Sequence, residues 1–290
     1  MSRFIRDFFM VNINGNIIKK EDASISILNR GFNYGDAVFE TIKVSHNKIL
    51  FWEDHYFRLM ASMRILRMEI PMNFTLEFLE KQIFDLVQSN NSSTKTMRIK
   101  LIVFRNSDGF YLPDNNDVSY VISSEILNED FYHLQENNNV VDLYKDHYVS
   151  ADLLSTLKTN NRIINVIGSI FAKENDLDNC LLLNTQKQVV EALNANLFLV
   201  KGNTIKTPPL SDGCIKGVMR KQIIDIIKLI PDFVFEEASI SPFELQKADE
   251  LFLTNVIIGI QPITKYRKKE FDTEVARNLL GKLNVKVRLS

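Results

Sequence analysis

Residues 30–41 read Arg30-Gly31-Phe32-Asn33-Tyr34-Gly35-Asp36-Ala37-Val38-Phe39-Glu40-Thr41, and the reading of the fold turns on this stretch. Its second half runs into Val38–Val44, a strand by its β-branched and aromatic content. His46-Asn47-Lys48 turns this strand into another at Ile49–Trp52. Upstream, Phe8–Ile13, the turn Asn14-Gly15-Asn16 and Ile17–Lys19 read as a hairpin, and Ser24–Ile27 alternates as a strand does. Downstream, Asp54 is expected to cap a helix that carries Leu59, Met60, Met63 and Leu66 on one stripe and that Pro71 ends. A second helix spans Thr75–Gln88, and strands follow at Met97–Arg105 and Val118–Ser124 around a loop at Asn106–Asp117.

The polar stretch Asn128–Asn139 marks a domain boundary, with a small α/β domain over residues 1–127, a linker over 128–139 and a larger domain over 140–290. The second half alternates short strands (Cys180–Leu183, Val189–Glu191, Leu197–Val200, Thr204–Lys206, Glu250–Thr254) with helices (Asn161–Glu174, Val218–Leu229, one capped by Ser241-Pro242-Phe243-Glu244, and Thr273–Asn284). The class is α+β with mixed sheets.

Composition narrows function by exclusion. Of the 290 residues 45% are hydrophobic, and 35 Lys+Arg against 36 Asp+Glu leave a formal charge of −1. That is too apolar and too balanced for a disordered chain, and it lacks the basic excess of a nucleic-acid binder. No apolar run is long enough for a membrane helix, and Arg6 and Asp7 interrupt the apolar start. Cys180 and Cys214 make neither a disulfide framework nor a metal pair, and His46, His55, His133 and His147 are scattered, so no metal is expected. A reducing, cytoplasmic compartment fits.

Three residues or junctions carry chemistry only in context. Lys158 enters an apolar helix, and it is either a solvated helix-start lysine or an amine that desolvation makes nucleophilic, a Schiff-base residue. The junction Gly217-Val218-Met219 is an ordinary helix start or a phosphate cradle of backbone N–H groups. Glu191 lies between apolar Val190 and Ala192, and it is a surface glutamate or a buried carboxylate that needs a cationic partner.

Their order along the chain resembles the class IV, fold-type IV family of pyridoxal 5′-phosphate (PLP) enzymes, which holds branched-chain aminotransferases, D-amino-acid aminotransferases and 4-amino-4-deoxychorismate lyases. The matching segments are residues 30–41, Asp54-His55-Tyr56-Phe57-Arg58-Leu59, Leu157-Lys158-Thr159-Asn160-Asn161, Val190–Phe198, Thr207-Pro208-Pro209-Leu210, Gly217-Val218-Met219-Arg220 and Ala248-Asp249-Glu250-Leu251-Phe252. The resemblance implies a small N-terminal α/β domain, a larger C-terminal mixed-sheet domain that binds PLP, an active site between them, and a homodimer. It also implies roles. Lys158 matches the catalytic lysine that forms the internal aldimine and shuttles the proton. Glu191 matches the acid on the pyridine nitrogen, and Arg58 the arginine on the phosphate. Val218 and Met219 match helix-start amides on the phosphate, and Val256 and Ile257 a second phosphate-contact turn where Val256 replaces a common Thr.

Substrate positions are implied in the same way. Tyr34, Phe39 and Thr41 match pocket-lining positions, with Phe39 resembling branched-chain enzymes. Lys100 falls where branched-chain enzymes carry an arginine, and Arg105 where D-amino-acid enzymes carry their carboxylate-binding arginine. Five residues apart, the two face opposite sides of a regular strand and meet one substrate only if the strand ends or bulges before Arg105. The resemblance therefore implies an aminotransferase that moves an amino group between an amino acid, of the branched-chain or D-amino-acid class, and a 2-oxo acid. The pattern Lys158-Thr159-Asn160-Asn161-Arg162 is similar to the lyase and keeps as alternative an aminodeoxychorismate lyase making 4-aminobenzoate and pyruvate. The apolar end of the loop Asn106-Ser107-Asp108-Gly109-Phe110-Tyr111-Leu112-Pro113 favours a smaller or more hydrophobic substrate. A more distant alternative is a non-catalytic PLP-binding scaffold.

Overall fold

The strand expected at Val38–Val44 forms and extends to Ala37–Ser45 in the computed structural model of the chain. The structure describes residues 9–134 and 138–289, so Phe8 of the expected first strand and residues 135–137 of the expected linker lie outside the described residues. The described chain folds as two compact units. One comprises the residues up to Asp130 together with Lys158–Asn161, and the other Phe131–Leu157 and the residues from Arg162 onward.

The first unit is built on one antiparallel sheet. Its strands are β1 (Met10–Ile13), β2 (Asn16–Lys19), β3 (Ala37–Ser45), β4 (Lys48–Ile49), β5 (Thr96–Arg105) and β6 (Val118–Leu127), in the order β2-β1-β6-β5-β3-β4. Helix α1 is the single turn Arg30–Asn33, and α2 (Trp52–Ile65) and α3 (Leu76–Ser89) cover one face of the sheet. Side chains alternate across a strand, so Val38, Ile42, Ile99, Leu101 and Val103 point into a core shared with Leu59, Met63, Leu79 and Ile83. Phe39, Thr41, Lys100 and Ile102 sit on the opposite face, which is half-buried.

Three local expectations are corrected here. Ser24–Ile27 forms no strand. Ser26 instead accepts hydrogen bonds from Leu28 N–H through its hydroxyl and from Asn29 N–H through its carbonyl, making a turn that leaves Ile25 and Ile27 exposed. The strand expected at Ile49–Trp52 stops at Ile49. Phe51 takes a left-handed conformation (φ 57°) and Trp52 already opens α2, two residues before Asp54. Helix α2 ends at Ile65, well before Pro71. Met68 N–H reaches Met63 O (2.9 Å) and Arg67 N–H reaches Arg64 O (3.0 Å) around left-handed Arg67, a Schellman ending that stops the helix without proline.

The second unit holds two further five-stranded sheets. Its strands are β7 (Val140–Val149), β8 (Asn179–Asn184), β9 (Val189–Ala192), β10 (Asn196–Lys201), β11 (Thr204–Thr207), β12 (Val234–Glu237), β13 (Glu250–Asn255), β14 (Gly259–Ile263), β15 (Lys265–Tyr266) and β16 (Lys269–Glu270). Their orders are β12-β11-β10-β13-β14 and β16-β15-β7-β8-β9, each mixing parallel and antiparallel pairs. Strand β7 begins where the expected linker ends, a ten-residue element absent from the sequence reading. The helices are α4 (Ile163–Glu174), α5 (Val218–Lys228), α6 (Pro242–Lys247, with the expected capping box on Ser241 and Glu244) and α7 (Glu274–Leu289). Among the described residues no helix is long and apolar enough to cross a membrane.

Thr75 caps α3 by accepting the Phe78 N–H at 3.1 Å. Replacing it with alanine orphans that donor, and Thr75→Ala is expected to cost about 1 kcal/mol of unfolding free energy, read from the midpoint of a urea titration.

Candidate active site

In the first unit, Lys158 is placed by backbone pairing. Beyond its short contact with β4, strand β3 leaves an edge at Ala37–Phe39. The segment around Thr159 takes that edge, with Phe39 N–H donating to Lys158 O at 2.8 Å and Asn160 N–H to Ala37 O at 3.0 Å. Gly35 makes the approach possible: its φ is +67°, and a Cβ there would lie 2.5 Å from Asn161 Oδ1. Opposite residues of an antiparallel pair share a face, and the Lys158 Nζ lies 4.3 Å from the centre of the Phe39 ring. On the same face the Lys100 Nζ lies 5.1 Å from that ring, and Lys100 pairs across the sheet with Thr41. The structure thus brings together four of the expected residues: Lys158, Phe39, Thr41 and Lys100.

Arg105 is not among them. Strand β5 pairs with β6 in unbroken register from Thr96 to Arg105, with neither the bulge nor the early end that would turn both side chains to one face. Arg105 is buried, and its guanidinium is engaged within the protein. Nε donates to Asp36 Oδ2 (2.9 Å), Nη1 to Arg67 O (3.1 Å) and Asn116 Oδ1 (2.5 Å), and Nη2 to Leu66 O (2.7 Å). It ties down the carbonyls of Leu66 and Arg67, the two residues that follow α2. Tyr34 follows α1 and is partly exposed, with its ring 5.6 Å from that of Tyr111.

Arg58 lies on the core side of β3. Its Nε donates to Glu40 Oε1 at 2.7 Å and its Nη2 to Oε2 at 2.5 Å, a two-pronged ion pair. His55, one turn earlier on the same helix face, donates from Nδ1 to Glu40 Oε2 at 2.7 Å. Burial alone would raise the Glu40 pKa. The Arg58 charge, with hydrogen bonds from His55 and Arg58, outweighs it and holds Glu40 at about 2. Burial lowers the His55 pKa against the pull of Glu40, so the contact is that of a neutral imidazole whose Nδ1 carries the proton, because an ionised carboxylate only accepts. Sequence reasoning quoted Glu40 and His55 inside motifs without giving them roles. Their spacing held the signal: an inward-facing acid on the strand, and a histidine and an arginine three apart on the helix that covers it.

In the second unit, Glu191 sits on β9, 5% exposed, and its Oε2 accepts from Ile215 N–H at 2.9 Å and from Asn196 Nδ2 at 3.3 Å. Val218 and Met219 open α5 behind Gly217, which offers no side-chain cap. A Cβ on Gly217 would meet Asn196 Oδ1 at 2.0 Å, so the helix start and the Glu191 network are packed against each other. Val256 and Ile257 form the turn after β13. There the Asn255 side chain accepts from Ile257 N–H (3.0 Å) and Ile258 N–H (2.9 Å), and Tyr132 Oη donates to Val256 O (2.7 Å). The Ile257 amide is thereby committed to shaping the turn. Among the described residues no cluster of His, Cys, Asp or Glu could hold a metal ion.

The depressed Glu40 pKa predicts acid sensitivity. A carboxyl titrating near 4 in the unfolded chain and at about 2 in the fold stabilises the fold above pH 4–5, by roughly 3 kcal/mol, and loses that contribution as pH falls toward 2. Glu40→Gln is expected to lower stability at pH 7 by a similar amount and to flatten its dependence between pH 5 and pH 2, measured by urea unfolding across that range.

Comparison with known proteins places this architecture. The sequence profile described as amino-transferase class IV matches residues 37–266. A putative branched-chain-amino-acid aminotransferase of Methanocaldococcus jannaschii is 26% identical over 96% of this chain and 95% of its own length. A D-alanine aminotransferase of Listeria monocytogenes is 26% identical over 88% of this chain and 86% of its own. The solved structure of a putative 4-amino-4-deoxychorismate lyase from Legionella pneumophila superposes with a TM-score of 0.79 at 24% identity, covering 92% of this chain and 96% of that one. With its matched span running from the head of β3 through β15, and with the same architecture as the solved relative, the chain belongs to the class IV amino-transferase family and has the fold of the fold-type IV enzymes.

Proposed function

We propose that this chain is a PLP-dependent aminotransferase that exchanges an amino group between an amino acid, of the branched-chain or D-amino-acid class, and a 2-oxo acid. The observation that carries the reading is the pinned Lys158, an amine held on the β3 edge against the Phe39 ring inside the span matched to the family. Members of the family are PLP enzymes, and the residues present fit the group. Helix α5 starts without a side-chain cap, leaving its first amides suited to a phosphate, and Glu191 is a buried carboxylate held by two N–H donors. When bound, PLP supplies the ring that takes up the electrons released at the substrate Cα.

The chain supplies the rest. The Lys158 Nζ takes the proton from the substrate Cα and returns it. Glu191 would pair with the ring nitrogen and keep it protonated. Arg58, held by Glu40, and the amides of Val218 and Met219 would hold the phosphate. The turn at Val256 and Ile257 is a further, weaker phosphate contact: Val256 brings no hydroxyl, and Ile257 N–H is shared with Asn255. Tyr34, Phe39 and Thr41 line the substrate. Lys100, on the Phe39 face, takes the substrate carboxylate role, whereas Arg105 spends its donors on the α2 end and Asp36. The working form is a homodimer in the cytoplasm.

The residue pattern from Lys158 to Arg162 keeps the lyase as second reading. Arg162 of the Lys158-Thr159-Asn160-Asn161-Arg162 pattern turns its Nη2 back onto Leu157 O, so the arginine supports the backbone that presents the lysine. Both reactions begin by removing the same Cα proton, and the acceptor separates them.

The purified protein is expected to absorb in the visible, and borohydride is expected to trap the cofactor on Lys158. Absence of PLP, or a label elsewhere, overturns the assignment. Lys158→Ala is expected to abolish turnover. Glu191→Ala should keep bound PLP and lose most activity, and a variant as active as the parent would show that Glu191 does not serve the ring. A panel of L- and D-amino acids with 2-oxoglutarate or pyruvate, run beside aminodeoxychorismate, decides the reaction. Pyruvate and 4-aminobenzoate formed without an amino acceptor would establish the lyase instead, and PLP binding without turnover of any of these would establish a scaffold.

A further inference from the structure

The loop between β5 and β6 presents an exposed apolar tip. Phe110, Tyr111 and Leu112 are 85%, 90% and 83% exposed, yet their backbone is tied from beneath. Arg30, almost fully buried, donates from Nη1 to Gly109 O (3.1 Å) and Phe110 O (2.5 Å) and from Nη2 to Tyr111 O (3.2 Å). Its Nε donates to Asp36 Oδ2 at 3.0 Å, the oxygen that also accepts Arg105 Nε at 2.9 Å. Arg105 in turn holds Asn116 at the far end of the loop. One carboxylate oxygen therefore joins two buried guanidinium groups, one gripping the tip of the loop and the other its base. The Arg30 guanidinium also lies 5.0 Å from the centre of the Tyr34 ring, whose other neighbour is the Tyr111 ring.

We infer that Asp36 and Arg30 are positioning residues that hold Tyr34 and the Tyr111 loop tip as one preformed wall for the apolar side chain of an amino-acid substrate. This rests on the proposed reading in which Tyr34 lines the substrate. Ordering the loop costs conformational entropy, and an untied loop would charge that cost to each substrate it orders. Fixing the backbone carbonyls with a buried, planar arginine settles it during folding. A lysine at position 30 keeps the charge beside Asp36, but its single ammonium cannot span three carbonyls and stack on a ring at once.

The test uses the holoenzyme with L-leucine and 2-oxoglutarate, beside D-alanine and 2-oxoglutarate. Arg30→Lys is expected to raise the KM for the amino acid about tenfold or more, the loss expected for charge-assisted contacts, with kcat within about twofold and the cofactor absorbance unchanged. Hydrogen exchange supplies a readout independent of turnover. The amides of Asp114, bonded to Asp108 O at 3.2 Å, and of Asn115, bonded to Ser107 Oγ at 3.0 Å, should lose protection in Arg30→Lys and in Asp36→Asn. Unchanged protection in both variants overturns the strap. Lost protection with an unchanged KM overturns its role in substrate binding. Tyr34→Ala separates this from the underlying reading: if it leaves KM unaltered, the assignment of Tyr34 to the substrate fails, and if it raises KM while Arg30→Lys does not, the positioning role fails.

Discussion

The pairing of the Ala37–Phe39 edge with the backbone around Thr159 is the contact on which the proposed chemistry depends. Two hydrogen bonds, from Phe39 N–H and Asn160 N–H, bring a lysine 120 residues distant in sequence onto the same face as Phe39, Thr41 and Lys100. A side chain held by sheet pairing keeps a narrower orientation than one on a free loop, which is what proton transfer at a fixed carbon requires. Nearly everything else in the first unit serves that strand. Its core side is packed by α2 and α3, and the glycine before it clears the space that Asn161 occupies.

Acidic residues in and just before strand β3 also hold buried arginines. On the core side, Glu40 is balanced by Arg58 in two-pronged contact and by a neutral His55. At its head, Asp36 pairs with both Arg30 and Arg105. Unpaired buried guanidinium groups would be strongly destabilising, and each carboxylate turns that liability into a fixed geometry. Arg58 and Arg105 both pair with acids next to one strand and do different work. Arg58 meets the Glu40 carboxylate through two donors, whereas Arg105 spreads its remaining donors over the carbonyls of Leu66 and Arg67 and the side chain of Asn116.

The long, strongly patterned elements were legible in the residues: β3, β5, α3, α5 and the capping box of α6 appear within a residue or two of expectation. Failures occurred where a local polar contact outcompeted the pattern. Ser24–Ile27 alternates perfectly, but strand alternation is worth nothing without a partner strand, and Ser26 closes a turn instead. The end of α2 was assigned to Pro71 because a Schellman ending on Arg67, without glycine, carries no compositional signal. Strand β7 was lost to the linker assigned just before it. The ordered motifs name Lys158, Glu191 and Arg58 as candidates but not the contacts around Arg58, because Glu40 and His55 acquire meaning only when α2 is laid on β3. The constraint on Lys100 and Arg105 shows the reverse case. Strand periodicity correctly stated the condition under which both would share a face, and only the unbroken β5–β6 register could show that the condition is not met.

The near-zero net charge gains a spatial meaning from these pairings. Arg58 is paired with Glu40, whereas Arg30 and Arg105 share the one carboxylate of Asp36. On the half-buried Phe39 face the Nζ atoms of Lys100 and Lys158 lie 5.1 Å and 4.3 Å from one aromatic ring. The ring attracts both cations through its negative face and adds no formal charge of its own. Under the proposed reading, such a local arrangement rather than a basic surface would meet a substrate carboxylate in a chain with 35 basic and 36 acidic residues.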